Sequence, residues 1–191
     1  MRSHSRQYRR AATLVRTGLI LLTWSVTQSF CLPAAGWAQH DSHAAAQTSS
    51  PAIGKPASPF RLKTLDGAVV DVGTFRGKPL IINFFASWCD PCREEMPLLN
   101  ALAAKGAKNG YGVLGIAVED GRASVDRYAK EARLVFPVAL DTSSAVKRAY
   151  RIFGPPATFF VDAEGTVRDA VIGPITAERA LLALQRAGAL P

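Results

Sequence analysis

The sequence predicts an α/β protein with a mixed central sheet covered by helices on both faces. Three observations lead there. From Leu80 onward, short apolar runs alternate with segments of helical periodicity. Asp66-Gly67 and Glu164-Gly165 each sit between β-rich runs, as hairpin turns do. Two cysteines, Cys89 and Cys92, lie where an apolar run gives way to an amphipathic segment.

Phe60 to Leu65 and Val69 to Val72 flank the first turn and read as a hairpin. A polar, glycine-containing connection, Thr74 to Lys78, leads to the run Pro79 to Ala86. That run is branched and aromatic, which predicts a buried central strand over Leu80–Phe85. Met96, Leu98, Leu99 and Leu102 then keep helical spacing, so a helix is expected from about Cys89 to Lys108. Pro97 lies inside it and should kink it, because proline supplies no backbone donor and crowds the preceding turn. Asn109-Gly110 ends this helix, and Tyr111 to Val118 reads as a second buried strand. Ser124 to Glu131 is a short amphipathic helix with Ser124 as its expected cap. Phe136 to Leu140 is a strand, and Ser144 to Tyr150 a further helix. After Gly154-Pro155-Pro156 comes a β-rich run to Asp162, the second hairpin turn, and a strand over Thr166–Ile172. Thr176 to Ala187, with Leu181, Leu182 and Leu184, closes the chain as an amphipathic helix. Parallel strands joined by helices next to an antiparallel hairpin imply a sheet buried on both sides.

The chemistry centres on Trp88-Cys89-Asp90-Pro91-Cys92. Thiols three residues apart can open and close as a short disulfide. At a helix N-terminus, unpaired N–H groups and the positive end of the dipole stabilise a thiolate, the species that attacks disulfides. A zinc site would need about four ligands. The third cysteine, Cys31, and all three histidines (His4, His40 and His43) lie upstream of the folded body, so no metal is expected. A purely structural disulfide is the plain alternative, weakened because so small a loop restricts the unfolded chain little.

The net charge of +8 resembles that of a nucleic-acid binder until it is located. Five of those charges are Arg2, Arg6, Arg9, Arg10 and Arg16 in residues 1–38, which hold no acid; the remaining residues carry +3 with both signs interspersed. No nucleic-acid partner is expected. The arginines precede an apolar run from Thr17 to Leu32 and small residues at Gly36 and Ala38, the order of a secretory signal with cleavage before Gln39. The run is short and diluted for a spanning helix, so a cleaved signal peptide is favoured over a retained anchor. Either device delivers the body outside the cytoplasm, where disulfides persist. From His40 to Ser58 the composition is largely Ala, Ser, Gln and Pro with little to bury, and residues 39–52 read as a flexible linker. Residues 53–191 form the folded domain.

With Trp88 to Cys92, Pro97 and Gly154 to Thr158 in hand, the chain resembles the thioredoxin superfamily, more narrowly its exported TlpA/ResA-type thiol-disulfide oxidoreductases. The likeness runs from about Ile53 to the C-terminus. It implies a thioredoxin-like fold, with the N-terminal hairpin and a central insertion around Arg122–Leu140 as additions. It also implies that Cys89 is the exposed nucleophile, Cys92 the resolving thiol, and Pro156 a cis-proline facing them, with Trp88, Asp90 and Pro91 around the pair. Asn83 stands where thioredoxin has a buried aspartate; Glu95 matches the glutamate implicated in ResA-type proteins. Pro155 before the cis-proline departs from the family pattern and bears on substrate docking.

The implied function is reduction of substrate disulfides, with cytochrome c maturation (apocytochrome c as substrate) the role that the resemblance suggests. A membrane thiol carrier would supply electrons to a monomeric enzyme that needs no cofactor. Asp90 and Glu95, as negative charges beside the thiols, should disfavour the thiolate and make the pair a reductant. Two other readings stay open: a peroxiredoxin-like peroxide reductase, and a non-enzymatic thioredoxin-fold binding module.

Overall fold

The computed structural model describes residues 53–191. The expected signal or anchor (1–38), the linker (39–52), and Cys31, His4, His40 and His43 lie outside the described residues. Among the described residues no helix is long and apolar enough to cross a membrane.

A five-stranded sheet forms the centre. Its strands are β3 (Leu80–Phe85), β4 (Gly112–Val118), β5 (Val138–Asp141), β6 (Ala157–Val161) and β7 (Val167–Ile172), in the order β5-β4-β3-β6-β7. β3, β4 and β5 are parallel; β6 and β7 are antiparallel to their neighbours. The N-terminal hairpin, β1 (Arg61–Lys63) and β2 (Val69–Asp71), is a separate two-stranded sheet. Gly67 in its turn has φ +89°, a conformation that costs glycine little. Thr64 bridges the hairpin to Ala139 of β5.

All six residues of β3 are buried, as a central strand's continuous apolar run requires. The two-residue repeat of the strand sorts them by face. Leu80, Ile82 and Phe84 pack with Phe60, Val70, Leu114, Ile116 and Tyr150 on the side of the hairpin and α3 (Ala145–Ala149). Ile81 and Phe85 pack with Met96, Leu99, Val125, Ala180 and Leu184 on the side of α1 (Asp90–Asn109), α2 (Arg122–Glu131) and α4 (Ala177–Arg186). Asn83 has the same parity as Ile81 and Phe85, so the sheet's one buried amide in this strand points toward α1.

α1 runs from Asp90 to Asn109 with Pro97 inside it and ends at Gly110 in the left-handed region, φ +80°. Two local expectations change. The segment expected as a plain connection contains a 3-10 turn, Val72–Phe75, whose N-cap Asp71 accepts from the Thr74 N–H at 3.0 Å. α2 begins at Arg122 after Gly121, so Ser124 lies inside the helix and does not cap it. Here the turn after β4 sets the start, and tertiary context overrides capping preference.

Candidate active site

β3 ends at Phe85, and the chain turns through Ala86 to Cys89, whose N–H donates to the Ala86 carbonyl at 3.2 Å. Cys89 is the N-cap of α1, in an extended conformation that a cap residue adopts. Its Sγ accepts the Cys92 N–H at 3.3 Å, so one of the helix's unpaired donors is aimed at the sulfur. Pro91 falls in the first turn, where its missing donor costs nothing. Cys89 and Cys92 are joined as a disulfide with Cα atoms 5.3 Å apart.

The resemblance implied an exposed Cys89. The structure corrects this: Cys89 is 5% accessible and Cys92 0%, so both are buried in the disulfide form and the first is the more accessible. Trp88, Asp90 and Pro91 carry the exposed surface around them. The bond between Pro155 and Pro156 is cis, as expected. Because Phe84 pairs with Ala157, Pro156 lies across the end of β3 from which the cysteine loop departs.

Beneath the pair sits Glu95, one turn further along α1 and 4% accessible. Its Oε1 accepts the Asn83 Nδ2 at 2.8 Å and its Oε2 accepts the Ile175 N–H at 2.9 Å. Asn83 Nδ2 also donates to Thr158 Oγ1 at 3.0 Å, while Asn83 Oδ1 has no partner. Burial pushes the Glu95 carboxyl above the usual carboxylate range; the two hydrogen bonds oppose that rise without cancelling it. The sequence reading gave Glu95 two parts, a negative charge beside the thiols and, by resemblance, the group that manages the proton; the raised value bears on the second.

Sequence reasoning missed the residues that fix the loop. The Ser87 N–H donates to Asp120 Oδ2 at 2.6 Å, and the Ser87 carbonyl accepts from Arg93 at 3.2 Å. Trp88 Nε1 donates to the Glu119 carbonyl at 3.1 Å. Glu119 has φ +52°, uncommon for a residue with a side chain, and its carboxylate takes Lys147 Nζ at 2.6 Å. The Arg93 guanidinium lies 4.7 Å from the centre of the Tyr128 ring. One signal could have found Glu119 and Asp120. They follow a buried parallel strand next to β3, and open α/β sheets place their sites at such strand ends.

Among the described residues, no group of three or more His, Cys, Asp or Glu side chains could hold a metal ion. The arrangement can perform two-electron thiol–disulfide exchange: a sulfur that receives a helix N–H, a second sulfur a turn deeper, and a protonatable carboxyl below.

Comparison with known proteins gives a consistent result. The model of the AhpC/TSA family matches residues 53–170. The thiol-disulfide oxidoreductase ResA of Geobacillus kaustophilus is 35% identical over 127 residues, 66% of this chain and 73% of the relative. A thiol:disulfide interchange protein of the thioredoxin family from Chlorobium tepidum superposes with TM-score 0.64 at 32% identity, covering 71% of this chain and 97% of that one. A secreted Mycobacterium tuberculosis disulfide oxidoreductase, homologous to E. coli DsbE, gives TM-score 0.59 at 29% identity over 69% and 96% of the two chains.

Proposed function

We propose that this chain, which belongs to the AhpC/TSA family and is a ResA-like thiol-disulfide oxidoreductase, works outside the cytoplasm as a reductant of protein disulfides. The observation that carries the exchange chemistry is the Cys89–Cys92 pair at the start of α1, with the Cys92 N–H aimed at the Cys89 sulfur and the buried Glu95 one turn further along.

In the reduced enzyme the Cys89 thiolate attacks one sulfur of a substrate disulfide. The S–S bond breaks, a substrate thiolate leaves, and a mixed disulfide forms. Cys92 then loses its proton and attacks Cys89 Sγ, expelling the second substrate thiolate. Two electrons have passed to the substrate and the Cys89–Cys92 disulfide is left. Glu95, one turn below Cys92, takes the Cys92 proton in this step; Asn83 and the Ile175 N–H hold its two oxygens in place. Pro156 lies across the end of β3 and bounds the site, while Trp88, Asp90 and Pro91 form its rim.

Export through residues 1–38, a linker over 39–52 and a catalytic domain over 53–191 complete the proposal. The basic, then apolar, then small-residue order of the leader supports it, as does the description of the M. tuberculosis relative as secreted. Substrates are disulfide-bearing exported proteins, with apocytochrome c in its disulfide form as one class. A membrane thiol carrier returns the dithiol to a monomeric, cofactor-free enzyme.

Insulin reduction by the purified protein tests the reaction. The wild type should catalyse it, Cys92→Ser should accumulate mixed disulfides, and Cys89→Ser should form few. Peroxide consumption that survives Cys92→Ser, without insulin reduction, would replace this reading with a peroxide reductase. Inactivity in both assays would leave a binding module.

A further inference from the structure

Asn83, Thr158 and Glu95 form a polar group inside an otherwise apolar layer. Asn83 and Thr158 face each other across β3 and β6, and both are fully buried. The Asn83 Nδ2 donates to Glu95 Oε1 at 2.8 Å and to Thr158 Oγ1 at 3.0 Å, which uses both of its N–H bonds. Glu95 Oε2 accepts the Ile175 N–H at 2.9 Å. Each carboxyl oxygen therefore faces a donor, while the Oδ1 of the same Asn83 amide has no partner.

This arrangement suits the carboxylate and not the acid. A carboxylate accepts at both oxygens, whereas a neutral acid must donate from one of them. With the amide as it stands, neutral Glu95 would leave two buried groups unpaired, its own O–H and Asn83 Oδ1, and such groups are costly. The two ends of an amide are alike in size, so a half-turn exchanges Oδ1 and Nδ2 without disturbing the packing. Oδ1 then accepts from the Glu95 Oε1–H and, through its second lone pair, from the Thr158 hydroxyl. Only Nδ2 is left without a partner, one group in place of two.

We propose that the Asn83 amide turns end for end when Glu95 takes up a proton, so that Asn83 is the positioning residue that keeps this proton on Glu95 Oε1. The proposal rests on the step proposed above, in which Glu95 takes the Cys92 proton. The Cys92 S–H bond breaks, an O–H bond forms at Oε1, and the electron pair stays on sulfur for the attack on Cys89. Thr158 changes from acceptor to donor with the same proton. An event on α1 thereby alters a hydrogen bond on β6, two residues from the cis-proline Pro156.

The groups around Glu95 leave its titration readable. Its partners from β3 and from the segment before α4, Asn83 and the Ile175 N–H, carry no charge. From α2, burial raises the Tyr128 phenol; the Arg93 guanidinium opposes that rise and the Glu95 charge adds to it, so Tyr128 stays neutral where Glu95 titrates. In the oxidised protein Cys89 and Cys92 are joined and hold no proton.

NMR of the oxidised protein, with labelled side-chain amides and glutamate carboxyls, tests the turn. Above the Glu95 titration the Asn83 amide protons should show a nuclear Overhauser contact to the Thr158 methyl. Below it that contact should be lost, with the same midpoint as the Glu95 carboxyl shift. Glu95→Gln places an amide donor opposite Asn83, so the contact should be missing at every pH. Asn83→Leu removes the acceptor and should lower kcat for insulin reduction about tenfold, as expected of a group that acts through the base. A contact that persists through Glu95 protonation, one present in Glu95→Gln, or an unchanged kcat in Asn83→Leu would each overturn the turn. If Glu95 titrates with the rate while the amide stays fixed, the turn fails and the proton-acceptor reading stands. A Glu95 resonance that is constant across the pH range in which the rate rises would sink both.

Discussion

Two carboxylates are buried almost equally deeply in this molecule and behave in opposite ways. Glu95, on α1 one turn beyond Cys92, is 4% accessible; Asp169, on the edge strand β7, is 1% accessible. Burial alone pushes both upward. Asp169, however, accepts hydrogen bonds from Arg179 on both oxygens and from Arg186 at 2.8 Å, and these guanidiniums hold it below its ordinary value. Glu95 has only neutral donors, an amide and a backbone N–H, and stays above. The kind of partner, together with the stronger desolvation of Glu95, separates the raised carboxyl from the lowered one. At Asp169 the charge pins α4 to the sheet. At Glu95, one turn along α1 from Cys92, burial raises the carboxyl without a cation to offset it.

Replacing Glu95 breaks the comparison at its functional end and should have the largest effect. As pH rises through the raised Glu95 value, the carboxylate forms and can take the Cys92 proton, so the reduction rate should rise across that window. Glu95→Gln should lose that limb and slow disulfide reduction at neutral pH by about 10²-fold, the lower end of general-base contributions. A pH–rate profile of the two proteins checks this; an unchanged limb would assign the titration to another group.

Replacing Asp169 breaks it at the structural end. The folded-state value is depressed, so its stabilisation is present above the unfolded value near 3.8 and is lost as pH falls through the folded one. Asp169→Asn should cost roughly 2 kcal/mol at neutral pH, less than a fully buried pair because Arg179 and Arg186 are partly solvated. Denaturant titration at pH 7 and near pH 3 should show the cost shrinking in acid, with the reduction rate of the folded enzyme little changed. For Glu95 the linkage has the opposite sign. Its folded value is raised, so its ionisation weakens the fold as pH climbs.

Much of the fold around these groups was legible beforehand, though the Asp169 ion pairs were not. The apolar run Leu80–Phe85, the Cys89–Cys92 spacing and the Asp66-Gly67 and Glu164-Gly165 turns are local signals, and each element formed where it was expected. Asn83 and Glu95 could be named only through the family resemblance, which matched them to positions of thioredoxin and of ResA-type proteins. What could not be read depends on contacts between segments distant in sequence. The Ile175 N–H on Glu95 and the Asp120 carboxylate on Ser87 join segments 80 and 33 residues apart. A backbone donor leaves no mark in sequence. The shift of the α2 start from Ser124 to Arg122 has the same origin, because the turn after β4 is held by its contacts with Ser87 and Trp88. The burial of Cys89 was equally hidden, since it depends on how the whole of α1 seats against the sheet.

The reduction potential of the Cys89–Cys92 pair tests the central claim most directly. Equilibrating the purified protein with glutathione buffers and quantifying its free thiols gives the value. A reductant should lie below about −180 mV, on the thioredoxin side of protein disulfide isomerase. A value well above that, toward the roughly −120 mV of DsbA, would make the protein an oxidant and contradict the account.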